Sequence, residues 1–121
     1  MPAPRRAFTL VELLVVVLII GVLAAIAIPR FAATRGKAYV TAMMADLHNL
    51  ATAESAYFAD HQVYTTALTT TQYTTSAGVT VTINAATTTG WSAVASHAAS
   101  DKTCAISYGE GATTDGVPIC N

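Results

Sequence analysis

An unbroken apolar stretch near the start constrains this chain most. From Phe8 to Ile28 only Thr9 and Glu12 interrupt it, and Pro29 ends it. As a helix rising about 1.5 Å per residue it would reach roughly 32 Å, close to the thickness of a hydrocarbon core. A helix that is apolar all round is either buried or in a membrane. Glu12 is the anomaly. An isolated carboxylate in lipid costs on the order of 2.5–3.5 kcal/mol near a helix centre and less near the interface, so Glu12 calls for a partner.

The residues before the run are short and basic, Met1-Pro-Ala-Pro-Arg5-Arg6-Ala7. A positive leader and an apolar run also describe an ordinary secretory signal, and Ala25-Ile26-Ala27 fits its small-x-small cleavage pattern. Three features oppose that reading. Glu12 sits inside what would be the apolar core, the run exceeds the usual 7–15 residues, and the helical pattern continues past Ala27. Basic residues flank both ends of the run, Arg5 and Arg6 before it and Arg30, Arg35 and Lys37 after it. Charge asymmetry therefore does not set an orientation.

Ala7-Phe8-Thr9-Leu10-Val11-Glu12-Leu13 resembles the cleavage and methylation motif of type IV prepilins and type II secretion pseudopilins. The resemblance implies that 1–7 is a leader, cut between Ala7 and Phe8. It implies N-methylation of the new Phe8 amine, and an assembly role for Glu12 in a charge pair with that amine. The family prefers Gly before the cut and this chain has Ala7, which is small enough for cleavage to be expected. Lys37-Ala38-Tyr39 and Ala53–Asp60 extend the likeness, which is strong over Ala7–Tyr64 and looser beyond. In the family a matching Gly and Pro bound a segment that can lose its helical hydrogen bonds on subunit packing. Gly21 and Pro29 occupy those places; a kink at Pro29 is the plain alternative.

Val40, Met43, Leu47, Leu50, Ala53 and Tyr57 recur at steps of three and four, so 30–60 reads as an amphipathic helix half. Arg35, Lys37, Asp46, His48, Asn49 and Glu54 are expected mostly off that face. One helix from about Thr9 to Asp60 follows, with 8–29 as its transmembrane or filament-core half. Val79, Val81 and Ile83 alternate with polar residues and give the first strand of a head spanning 61–121. Trp91–His97 and Thr103–Tyr108 give two more, with short connections, so an antiparallel meander is expected over the helix with Trp91 at the boundary. The fold class is α+β. Beyond Tyr108 a loop is expected.

Only 11% of the residues are charged and the head is small, so a staple would help its core. Cys104 and Cys120 are the two cysteines. They read as a disulfide if the head lies in an oxidising compartment, with two buried free thiols as the alternative. That pairing and the family likeness put the N-terminus in the cytoplasm.

The net charge of −1 gives no electrostatic case for nucleic acid. Removing the leader leaves four basic against seven acidic side chains, a mildly acidic mature chain. The three histidines are scattered, no phosphate loop or nucleophile elbow is present, and neither enzymatic activity nor a cofactor is expected. Some pseudopilins hold calcium in their C-terminal loops. Asp101, Glu110 and Asp115 are the corresponding weak candidates here, without EF-hand spacing, so no metal site is expected. The Thr-rich stretch Thr65–Thr75 is read as an exposed loop, with O-linked glycans as the alternative.

The resemblance implies a major pilin, a subunit of a helical type IV pilus for adhesion, motility or DNA uptake. The alternative is a major pseudopilin of a type II secretion system. Minor pilins often lose the Glu, so Glu12 favours a main subunit. Partners implied are other copies of the chain, a prepilin peptidase and methyltransferase, the inner-membrane assembly platform and the membrane itself. The implied course is a single-pass inner-membrane precursor, then an extracellular pilus or periplasmic pseudopilus.

Overall fold

A computed structural model describes all residues, Met1–Asn121. The element order is α1 (Leu10–His61), β1 (Val79–Ala86), β2 (Gly90–His97), β3 (Thr103–Gly109) and β4 (Ile119–Cys120). The chain divides into two compact units, Met1–Arg35 and Gly36–Asn121.

In the first unit, Met1–Thr9 has no regular structure, and the start of α1 follows. Gly21–Pro29 is helical throughout. A proline inside a helix removes one donor, and the Leu, Ala and Ile around it hold the remaining ladder. Every side chain from Phe8 to Ile28 is exposed except the half-buried Ala24.

In the second unit, the later part of α1 lies on one antiparallel sheet of order β1-β2-β3-β4. Met43, Leu47 and Leu50 meet Val79, Trp91, Ala93, Ala95, Cys104 and Ile106 in a single core. Strand alternation produces this. Trp91, Ala93 and Ala95 share the inner face of β2, and Cys104 and Ile106 share that of β3. Their register aligns Ala95 with Cys104 and Ala93 with Ile106. The two alanines leave room for the larger helix side chains. On β1, Val79 is buried and Val81 and Ile83 are half-buried, while Thr80, Thr82 and Asn84 face out.

The structure corrects the sequence reading in three places. Asp46 and Glu54, expected off the packing face, are buried on it beside Met43, Leu47 and Leu50. Steps of three and four carry them there, and backbone and side-chain donors from the 62–78 segment make this tolerable. The tail is not only a loop, because Ile119–Cys120 adds a fourth strand, with Cys120 opposite Cys104. The first three strands also extend to Ala86, Gly90 and Gly109. Gly90 and Gly109 face each other across β2 and β3. Gly109 adopts φ 87°, and a Cβ there would fall 2.0 Å from the Thr89 carbonyl oxygen, so only glycine fits.

The Cys104–Cys120 disulfide is formed, with a Cα–Cα distance of 4.0 Å. Thr103 secures the tail further: its N–H and hydroxyl donate to Asn121 Oδ1 at 3.2 and 3.1 Å.

Candidate processing and assembly site

The start of α1 is a capping box. Thr9 is the N-cap and Glu12 is the third helical residue. The Thr9 N–H and hydroxyl both donate to Glu12 Oε2, at 2.8 and 2.9 Å, and the Glu12 N–H donates to Thr9 Oγ1 at 3.2 Å. Leu13 N–H closes the first turn on the Thr9 carbonyl. The negative charge also lies at the positive end of the helix dipole.

Glu12 is therefore not alone, as its apolar setting suggested: Thr9, of the same chain, partners it. Sequence reasoning missed Thr9, although the spacing Thr-x-x-Glu before an apolar run is a readable signal. The cap engages only Oε2, so Oε1 remains available to a further donor.

Ala7 and Phe8 precede the helix in irregular, exposed backbone, and Phe8 is 91% exposed. A peptide bond in extended, accessible chain is what a peptidase cleft can take; one inside a helix is not. Immediately after it the exposed side chains of Val11, Leu14, Val15, Leu18 and Ile19 present an uncovered apolar helix. By length and composition α1 can cross a membrane. Isolated surface of this extent needs lipid or other protein against it.

Other sequence-derived candidates lie elsewhere. Gly21 and Pro29 are inside the helix. Asp101, Glu110 and Asp115 are exposed, and no group of three or more His, Cys, Asp or Glu side chains gathers to hold a metal ion. Asp115 instead accepts the Gly109 N–H at 2.7 Å and closes the turn after β3.

The site therefore combines a capped carboxylate three residues into an uncovered apolar helix with an exposed basic segment just before it. Residues 3–28 match the prokaryotic N-terminal methylation motif. Over 62 residues the chain is 44% identical to the type IV major pilin protein PilA of Myxococcus xanthus (strain DK1622). The match covers 50% of this chain and 28% of that relative's length. Together these findings make the chain similar to a type IV pilin over about half of its length, with a methylation motif at its start.

Proposed function

We propose that this chain is a main structural subunit of a type IV pilus. The precursor waits in the inner membrane as a single-pass protein with a cytoplasmic N-terminus. A prepilin peptidase removes Met1–Ala7, and the Phe8 amine is methylated. An inner-membrane assembly platform then adds the subunit to a filament of identical copies. The apolar helices pack in the filament core and the heads form its surface.

The observation that carries this reading is the free oxygen of Glu12. Oε2 is held by Thr9 and fixes the carboxylate, while Oε1 has no donor in the chain. The Phe8 amine of a neighbouring copy supplies one. Each charge then offsets the other's desolvation among apolar helices, whereas a misplaced subunit leaves both uncompensated. Register is thereby selected. Adhesion, motility and DNA uptake are the roles such a fibre would serve. The fibre is assigned to the cell surface because the head closes its tail with a disulfide and carries an exposed Thr-rich segment.

The test is Glu12→Ala in cells, followed by electron microscopy of sheared surface material. The mutant subunit is expected in the membrane at normal abundance with filaments absent. Abundant filaments from the mutant would refute the charge-pair reading. Loss of enzyme secretion, without loss of any surface fibre, on deletion of the gene would favour a pseudopilus.

A further inference from the structure

Two buried carboxylates tie the 62–78 segment to α1, and they are satisfied very differently. Asp46 Oδ2 accepts the Ser76 N–H at 2.8 Å and Oδ1 accepts the Ser76 hydroxyl at 2.9 Å. The Tyr73 hydroxyl adds a bond to the Asp46 carbonyl at 2.9 Å. Glu54 is fully buried, yet only its Oε2 is engaged, by the Thr65 N–H at 3.0 Å. Its Oε1 has no hydrogen-bond partner. Buried polar atoms are nearly always paired, so this orphan calls for an explanation.

The surroundings offer an ionised Glu54 little. Tyr64, from the segment itself, lies among Glu54, Tyr108 of β3 and Asp115 of the tail, all neutral or acidic. On α1, Tyr57 lies one turn beyond Glu54 and stacks on His61, while Asp46, two turns before it, is held by Ser76. The packed faces of β1 and β2 contribute neutral side chains, apart from His97, which stacks on Tyr39. Burial pushes the Glu54 carboxyl above the ordinary carboxylate value, and only the Thr65 N–H pulls it back.

We propose that Glu54 is a proton-operated latch for the start of the 62–78 segment. Protonated, it stays buried and holds Thr65 against α1. Ionised, it favours an opened segment in which water reaches Oε1. The closed-state value is raised above the open-state value of about 4.5. Closure is therefore firmest below that open-state value and weakens as pH rises through the closed-state value. The Asp46–Ser76 clamp keeps the far end of the segment in place, so the opening is local.

The test is amide hydrogen exchange by NMR on the full chain in detergent micelles between pH 4 and 8, corrected for intrinsic exchange. Within the titration window the Thr65 opening constant is expected to rise up to about tenfold per pH unit, while Ser76 shows no such rise. Glu54→Gln is expected to flatten the Thr65 profile. Identical pH slopes in wild type and variant would overturn the latch, as would a wild-type profile without slope. If the variant does not fold, a 13C titration of the wild-type Glu54 carboxyl decides. A midpoint above 4.5 is expected, and one at or below it overturns the proposal.

Discussion

Replacing both cysteines with alanine isolates what the disulfide contributes to the head. Cys104 and Cys120 are separated by 16 residues. In the chain-entropy description, closing a loop of that length removes about 10–11 cal/mol/K from the unfolded ensemble, or about 3 kcal/mol at 25 °C. Little else is lost, because alanine fills most of the space of each cysteine and β4 is only two residues long. For a unit the size of Gly36–Asn121, each kcal/mol moves the melting temperature by about 4–8 °C. The double variant should therefore melt roughly 12–24 °C lower than the oxidised wild type. The assay is thermal unfolding in micelles followed by near-UV circular dichroism at Trp91. Reductant should bring the wild type to the variant's value and leave the variant unmoved. A shift of less than about 3 °C would refute the reasoning, since the link would then close no loop that the unfolded chain leaves open.

Asp46→Ala removes the acceptor for two Ser76 donors and should destabilise the head by about 2–3 kcal/mol, read by chemical denaturation. Leu47→Ala, at a fully buried position, should cost about 2–5 kcal/mol in the same assay. Burial first and the Asp46 charge second push the Tyr73 hydroxyl up to about 12. The stability this contributes is present in full below the ordinary tyrosine value of 10.0 and is lost as pH rises through about 12. Ultraviolet titration of Tyr73→Phe against wild type should accordingly remove one late-titrating phenol.

The elements legible in the sequence are those whose pattern is local. The apolar run needs no tertiary context, and the alternation of Val79, Val81 and Ile83 declares its own inner face. The helix face around Met43, Leu47 and Leu50 was readable for the same reason. Asp46 and Glu54 were not, because their polarity points outward until their partners are known. Those partners, Ser76 and Thr65, lie 30 and 11 residues away. Strand β4 was hidden because two residues carry no period; it exists through its pairing with Cys104 and Ala105. At the proposed processing site, Ala7, Phe8 and Glu12 lie inside the stretch 3–28 that matches the methylation motif, so that pattern is local too. The role of Thr9 was less legible because it depends on where the helix starts: only with α1 beginning at Leu10 does Thr9 become its cap.

The most direct test of the central claim is mass spectrometry of the mature N-terminus, on protein from membranes and from sheared surface material. A chain beginning with N-methylated Phe8 in both fractions is expected, which would show that Ala7 is accepted before the cut and that the processed subunit enters a surface fibre. A chain beginning near Ile28 would mean that the apolar run is discarded as an ordinary signal, and the filament account, with Glu12 at its centre, would be wrong.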